Sequence, residues 1–211
     1  MLMTVAVNKA NQLVSIKQVE RGLKCDCFCF ECGEQVVAKK GEKNEHHFAH
    51  ISNKVSCNIN PESILHKFAK QVIMEEKGLT LPALPNSQSK DNQVWQFSKL
   101  IAEQSVGSIR PDLVASIDHG MMFIEIAVTS FIDTDKLDLI KHLGIQTIEI
   151  DLRDLLKQNI DIPSEEARAY ILNEVSNKKW VYPVPPPAAP VVPPPALVPV
   201  LPHTHTHEQP T

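Results

Sequence analysis

Two carboxylates stand out in the segment RPDLVASIDHGMMFIEIAVT, residues 110–129. Asp112 opens one apolar run, and Glu125 lies in the middle of a second, after an Asp-His-Gly turn. A buried acid within a strand is unfavourable unless a cation or a hydrogen-bond donor pairs with it. Two such carboxylates on one face repel each other unless a divalent cation lies between them, and oxygen ligands suit magnesium or manganese.

The two apolar runs predict a β-hairpin whose register decides whether the acids meet. A two-residue loop at 119–120 sets Asp112 opposite Ala127, and alternation then places Asp112, Glu125 and Ala127 on one face. A three-residue loop would move Glu125 to the other face. The structural alternative is that Asp112 caps a turn while Glu125 pairs with a Lys or Arg.

A third set of polar residues lies on the predicted helix ESILHKFAK. Glu62, His66 and Lys70 share one stripe at 100° per residue, together with apolar residues that should face the core. A Glu-His pair turned inward could bind a metal or orient its water, and His66 with Lys70 could hold a phosphate. Alternatively, Glu62 complements the helix dipole and Lys70 extends to water.

Metal chemistry of another kind is indicated by the sequence CFEC at residues 29–32. Cys29 and Cys32 have the spacing of a zinc knuckle, and Cys57 with His50, or His47 as the alternative, would complete four ligands. Such a closed set predicts a structural rather than a catalytic zinc.

Two further cysteines, Cys25 and Cys27, alternate with Cys29 as they would along a strand, which favours a packing role for both. The alternative for the whole group is a cluster of reduced, partly buried thiols.

The elements that must position these residues predict a mixed α/β protein in three parts. Residues 1–60 read as a small β module with the zinc knuckle, and residues 61–180 as an α/β domain. In that domain a helix from Asn60-Pro61 to a Gly78 stop precedes a strand and the hairpin. A helix capped by Asp133 and ended by Gly144, a strand and a closing helix starting at Ser164 follow. Residues 181–211 read as a disordered Pro-rich tail.

Composition excludes several classes of function. The chain has 211 residues and a net charge of -4, which lacks the strongly basic footprint of a protein that coats nucleic acid. No run of about 18 apolar residues is present, so we expect no membrane contact and a soluble, cytoplasmic protein. Eleven of the sixteen prolines follow residue 182, a pattern that suits docking of a protein partner.

Taken in order, these motifs resemble the CoiA-like competence protein family over most of residues 20–155. The resemblance is carried by CFEC, HFAH at 47–50, Cys57, ESILHKFAK, RPDLV and IEIAVTSFIDTDK. The main domain of that family is a restriction-endonuclease-like PD-(D/E)xK nuclease with an αβββαβ core. The resemblance implies that Asp112 and Glu125 hold Mg²⁺, or Mn²⁺, and that Glu62 and His66 are further members of the catalytic site.

One position departs from the family pattern. The lysine expected two residues after the glutamate is Ala127 here, which can neither bind phosphate nor polarise water. Phosphodiester cleavage concentrates negative charge on oxygen, so a cation is required nearby. Lys136 is the candidate for a displaced catalytic lysine, and Lys70 is the second choice.

The function implied is a Mg²⁺-dependent deoxyribonuclease, with DNA as substrate and a structural Zn²⁺ in the N-terminal module. Competence, recombination and repair would all use such an enzyme. The alternative is a catalytically inactive zinc-containing module that binds DNA or protein. Oligomeric state and the strandedness of the substrate stay open.

Overall fold

The computed structural model describes residues 2–52, 57–85, 87–118, 120–158 and 160–183. The first part is a five-stranded antiparallel sheet in the order β2-β1-β3-β4-β5. Its strands are β1 Val5–Val7, β2 Leu13–Ser15, β3 Gly22–Phe28, β4 Gln35–Lys39 and β5 His47–His50. A short 3-10 helix, Ile16–Gln18, follows β2.

The second part is a five-stranded mixed sheet with helices around it. Its strands are β8 Lys99–Ala102, β9 Leu113–Ile117, β10 Gly120–Ala127, β11 Gln146–Asp151 and β12 Lys178–Tyr182, and their spatial order is β12-β11-β10-β9-β8. The helices are α1 Pro61–Glu76, α2 Thr134–Leu143, α3 Arg153–Lys157 and α4 Glu165–Asn173. A separate two-stranded ribbon pairs β6 Gly78–Leu81 with β7 Gln93–Gln96.

Within this sheet, β8, β9 and β10 form an antiparallel meander, and β11 pairs parallel to β10 after the crossover through α2. The parallel pair needs that crossover, since parallel neighbours cannot be joined by a tight turn. With the ribbon β6–β7 left aside, the chain therefore runs helix, three strands, helix, strand from α1 to β11. This mixed α/β order agrees with the sequence prediction.

Helix α1 links the two sheets through one hydrophobic core. Its apolar residues pack with Leu113, Ile124 and their neighbours from the second sheet and also with Val7 and Leu13 from the first. The side-chain oxygen of Gln71 accepts a hydrogen bond from the Leu13 amide at 2.7 Å. The β module predicted for residues 1–60 thus shares its core with the rest of the molecule.

Both predicted caps of α1 and α2 are formed at their first turns. The Asn60 side chain accepts from the Glu62 amide, and the Asp133 side chain accepts from the Lys136 amide at 2.8 Å. Gly144, in the left-handed conformation, ends α2 as predicted. These caps fix the helix ends that carry Glu62 and Lys136.

The hairpin register differs by two residues from the predicted one. Ile117 pairs with Gly120 and Leu113 with Ile124, whereas the predicted loop at 119–120 would pair Asp118 with Met121. Residue 119 of that loop lies outside the described residues. Gly120 has a φ of 139°, which only glycine adopts readily, and it forms the first strand pair. Continuing the register places Asp112 beside Glu125, not Ala127. Because the shift is even, both acids still share a face.

Two predicted boundaries also move. Helix α1 ends at Glu76 with Lys77 in the left-handed conformation, and Gly78 belongs to β6. A Cβ on Gly78 would lie 2.8 Å from the end of the Gln96 side chain and 3.1 Å from a backbone oxygen of β7, so close strand packing favours glycine there. Ser164 caps the closing helix as predicted, but that helix ends at Asn173, and the missed strand β12 follows it.

Strand β12 reaches two residues into the segment predicted as the Pro-rich tail, and residues 184–211 of that segment lie outside the described residues. Across the described ranges, no helix has the length and apolar character needed to span a bilayer.

Candidate functional site

A small cavity opens where β9 and β10 meet the first turn of α2. Its volume is about 230 Å³, and its charged or titratable lining residues are His66, Arg110, Asp112, Asp133, Glu125, Lys136 and Glu149. Four of the five residues predicted to be catalytic therefore face one space. The cavity lies at the strand ends, where backbone and side-chain polar groups would both be within reach of a bound ligand.

Glu125 is a buried carboxylate at the wall of this cavity. The residue is 5% exposed, and its Oε2 lies 2.8 Å from the Lys136 Nζ. Its Oε1 is buried and has no hydrogen-bond partner among the described residues. A buried acceptor left unpaired is unfavourable, which makes this atom a position for a cation or a donor supplied by a ligand.

The two acids have pKa values shifted in opposite directions. Burial raises the pKa of Glu125, the contact with Lys136 opposes the rise, and the charges of Asp112 and Glu149 add to it. Burial also disfavours the Asp112 carboxylate, but the hydrogen bond and charge of His66, the Ile126 amide and Lys70 together lower its pKa. The charged form is thus favoured at Asp112 and disfavoured at Glu125.

His66 and Lys70 of α1 both reach Asp112. The His66 Nε2 lies 3.0 Å from one Asp112 oxygen, and the other accepts from the Ile126 amide at 2.9 Å. The Lys70 Nζ lies 3.9 Å from Asp112 but 2.7 Å from Glu103, with which it pairs more closely. Of the two lysines considered, Lys136 is the one in the cavity with Glu125.

Ala127 confirms the departure seen in the sequence. It is buried at the cavity wall, and its carbonyl accepts from the Leu152 amide at 2.8 Å. Lys136 reaches Glu125 from α2 instead, from the other side of the loop that joins β10 to this helix. A lysine side chain therefore lies in the cavity, although the position two residues after Glu125 is an alanine.

Glu62 lies outside this cavity. It lines an adjoining space of about 370 Å³ that also includes His66 and Ser130. The Thr129 hydroxyl donates a hydrogen bond to its Oε1. His66 thus separates Glu62 from the two central acids.

Glu149 is a residue that sequence reasoning missed. It stands in register with Glu125 across the parallel pair β10 and β11 and lines the same cavity, and its Oε2 accepts from the Ile132 amide at 2.8 Å. Arg110 also lines the cavity and pairs with Glu103 at 2.8 Å. The alternating pattern of IQTIEID marks Glu149 as sharing a face with Thr147, but only the parallel register brings it beside Glu125.

The second candidate site is a cluster of three cysteines and one histidine in the first sheet. The ligand atoms of Cys29, Cys32, His50 and Cys57 all lie within 4.8 Å of one another. The His50 Nε2 is 3.4 Å from the Cys32 sulfur and 3.8 Å from the Cys57 sulfur. Three thiolates and one imidazole at these separations fit a tetrahedral zinc, which would serve to hold the segment together.

The knuckle is shaped by backbone hydrogen bonds. The Cys29 amide donates to the Glu34 carbonyl at 2.7 Å and the Gly33 amide to the Cys29 carbonyl at 3.0 Å, while Gly33 takes a φ of 70°. A hydrogen bond from the Glu34 backbone lowers the pKa of the Cys32 thiol to about 7. Hydrogen bonding to Cys32, together with burial, raises the pKa of Cys57 to about 11.

The other candidate histidine and the other cysteines of this segment, His47, Cys25 and Cys27, lie outside the cluster. His47 is not a member of the cluster, because its Nδ1 contacts the Glu45 carbonyl at 2.8 Å. Cys27 is fully buried, and Cys25 packs beside it against the small core of the first sheet. Both therefore have the packing role predicted for them.

Comparison with known families identifies the segment that carries this cluster. Residues 9–60 match the family model described as competence protein CoiA, N-terminal domain. Over this segment the chain is CoiA-like. All four members of the cluster lie within the match, which covers about a quarter of the chain and confirms the resemblance there. No curated protein and no solved structure gives a significant match.

The CoiA-like segment ends one residue before α1 begins. It thus contains strands β2 to β5 of the first sheet and the Cys3His cluster, but not β1. None of the residues of the carboxylate cavity lies within it. The match indicates a competence-related protein, and the chemistry of the cavity has to be argued from its own geometry.

Proposed function

We propose that this protein is a divalent-metal-dependent nuclease that hydrolyses phosphodiester bonds of DNA in competence, recombination or repair. The observation that carries the proposal is the unpaired, buried Oε1 of Glu125 in a cavity that also contains Asp112 and Lys136. A cavity with two adjacent acids and a fixed cation is typical of metal-assisted hydrolysis rather than of a structural ion pair.

The element order supports the same proposal. With the ribbon β6–β7 left aside, a helix, a three-stranded meander, a helix and a parallel strand follow one another in the order αβββαβ, which is the order that the resemblance implies. The paired acids lie on β10 and just before β9, as the resemblance to that class implies. We infer a nuclease core of this class for α1 to β11.

In the proposed site, Asp112 and Glu125 would hold the cation, for which the unpaired Oε1 of Glu125 is available. When bound, Mg²⁺ or Mn²⁺ supplies Lewis-acid chemistry, which polarises the phosphoryl oxygens and lowers the pKa of a coordinated water. His66 keeps the Asp112 carboxylate oriented through its 3.0 Å contact. Glu149 adds a third carboxylate on the same wall.

Lys136 takes the role of the lysine that Ala127 lacks. Its Nζ lies 2.8 Å from Glu125, so it places a positive charge at the position where a phosphate oxygen would enter. A fixed cation stabilises the charge that develops on the phosphate in the transition state. Glu62, one space away behind His66, would act on the hydrogen-bond network around the site rather than on the cation itself.

Cleavage of labelled DNA with Mg²⁺ or Mn²⁺ tests the proposal. Glu125→Gln should abolish cleavage, and Lys136→Ala should reduce it by about 100-fold or more, the scale expected for loss of one electrostatic contact to the transition state. Asp135→Asn is the matched control, because this exposed acid of α2 is absent from the cavity lining. Cleavage that survives Glu125→Gln would overturn the proposed site.

A second candidate is an inactive module that binds DNA or protein through its zinc-containing segment. It is favoured by Ala127 and by the ion pair that already compensates one oxygen of Glu125. Wild-type protein that binds DNA but cuts no single- or double-stranded substrate with either metal would select this candidate.

A further inference from the structure

A larger groove lies between the first sheet and α1, next to the carboxylate cavity. Its volume is about 700 Å³, and its walls include Asn11 and Phe30 on one side and Lys67, Lys70 and Met74 on the other. His66 lines both the groove and the carboxylate cavity. A ligand that fills the groove therefore ends at the proposed catalytic centre.

The acids of this groove are already paired. Glu75 accepts from Arg168 at 2.8 Å, and Glu103 pairs with Lys70 at 2.7 Å and with Arg110 at 2.8 Å. These contacts neutralise both carboxylates at the groove wall. Little negative charge is left there to repel an anion.

Lys67 is the lysine of the groove wall that is not used in pairing with these acids. It is half-buried at the groove wall and has no ion pair within 4.0 Å among the described residues. Burial and the neighbouring charge of Lys70 lower its pKa. A cation that is partly desolvated and repelled by another cation gains when an anion binds.

Phe30 supplies an aromatic surface in the same groove. It follows Cys29 in the knuckle, so the cluster of three cysteines and His50 fixes its position, and it is half-buried against the main core. Aromatic faces beside a cationic groove are the usual means by which proteins bind unpaired bases without reading their sequence.

We propose that this groove binds one strand of nucleic acid, with a phosphate on Lys67 and a base against Phe30, and leads it past His66 to the carboxylate cavity. The inference rests on the proposed nuclease function and specifies its substrate as single-stranded. Lys40 of the first sheet plays no part in it, since it donates to the Val19 carbonyl at 2.8 Å and does not line the groove.

Binding of labelled oligothymidine to the full chain, without added divalent cation, tests the groove separately from cleavage. Each phosphate contact to a single strand contributes about 0.7 to the slope of log affinity against log salt, so Lys67→Ala should lower the slope by about 0.7 and weaken binding. Phe30→Leu should weaken binding about fivefold or more with an unchanged slope. Lys157→Ala is the matched control, because this exposed lysine of α3 is outside the groove.

Zinc content and circular dichroism of each variant show whether the fold is retained. An unchanged slope for Lys67→Ala, or tighter binding of a blunt duplex than of the single strand by wild type, would overturn the groove. If binding depends on Lys67 but the protein never cleaves DNA, the proposed strand-binding groove is supported and the proposed nuclease function is wrong. If wild type cleaves DNA and Lys67→Ala binds and cleaves like wild type, the proposed nuclease function is supported and the proposed strand-binding groove is wrong.

Discussion

Glu125 has an electrostatic cost that its neighbours only partly offset. Its carboxylate is buried, one of its oxygens is unpaired, and Asp112 and Glu149 place further negative charge nearby. Proteins retain such groups where function requires them, at the expense of stability. The cost has a pH dependence that can be measured.

Glu125→Gln should raise the melting temperature most at high pH. The folded-state pKa of Glu125 is raised, so its favourable, protonated contribution is present below the unfolded pKa and is lost as pH rises through the folded value. Glutamine does not titrate. As pH rises above the usual range of a glutamate pKa, the melting temperature of the variant should therefore gain on that of wild type.

Thermal unfolding without added divalent cation measures this effect, since a bound cation would compensate the charge. Asp135→Asn, which removes an exposed carboxylate from α2, should show no such trend. A gain for Glu125→Gln that is equal at both ends of the pH range would contradict the explanation.

Single residues of both sites were predictable because their chemistry is local. The CxxC spacing indicates Cys29 and Cys32, and an acid inside an apolar strand indicates Glu125. Glu149 was missed because its place beside Glu125 depends on how β11 pairs with β10 across the α2 crossover. No spacing in the sequence contains that parallel register.

At the scale of elements, strand β5 decides which histidine joins the cysteine cluster. His47 and His50 are three residues apart, and in a strand an odd separation directs two side chains to opposite faces. The sequence left both open because the same spacing on a helix would bring them together. The strand geometry excludes His47.

Zinc content should therefore fall in His50→Ala and stay at the wild-type level in His47→Ala. The imidazole of His50 is near the Cys32 and Cys57 sulfurs, whereas that of His47 contacts the Glu45 carbonyl. Metal analysis of the purified variants after dialysis measures this. Equal zinc loss in both variants would show that the cluster is arranged differently.

Element prediction succeeded where capping chemistry was explicit and failed where contacts with distant chain decide. Asn60, Asp133 and Gly144 mark helix ends by local rules. Gly78 was assigned as a helix stop for the same reason, but its lack of a side chain serves the contact with β7. The two-residue error in hairpin register arose from Gly120, which the structure uses as a strand residue.

At the scale of the whole molecule, the first sheet and the mixed sheet should unfold together. Leu13 of β2 is 3% exposed and belongs to the same core as α1 and the second sheet. Sequence alone divided the chain at residue 60 because a capped helix begins there, after the cysteine-rich segment. It could not show that α1 packs against both sheets, since that requires their relative placement.

Leu13→Ala should lower the unfolding midpoint reported by tryptophan fluorescence. Both tryptophans lie in the second part, Trp95 in β7 and Trp180 in β12, with ring centroids 5.6 Å apart. Loss of a buried leucine costs about 2–5 kcal/mol, and a shared core transmits that loss to both sheets. Chemical denaturation followed at these tryptophans measures it.

The control is Leu23→Ala, because Leu23 is 56% exposed on β3 and should leave the midpoint almost unchanged. In Leu13→Ala, the midpoint from tryptophan fluorescence could stay at the wild-type value while circular dichroism shows an additional transition at lower denaturant. That result would mean that the two sheets unfold as separate units.

Helix α1 has no exposed residue from Glu62 to Ile73, because a sheet, a second sheet and a groove each occupy part of its circumference. Most helices of globular proteins keep one face in water, where substitutions are nearly neutral. In α1 the fully buried positions recur with the helical period, but the positions between them, from Glu62 to Gln71, are half-buried rather than exposed. Mutational tolerance should therefore be lowest at Leu65, Phe68, Ala69, Val72 and Ile73 and reduced at the positions between them, and it should return only at Met74, where the helix emerges into solvent.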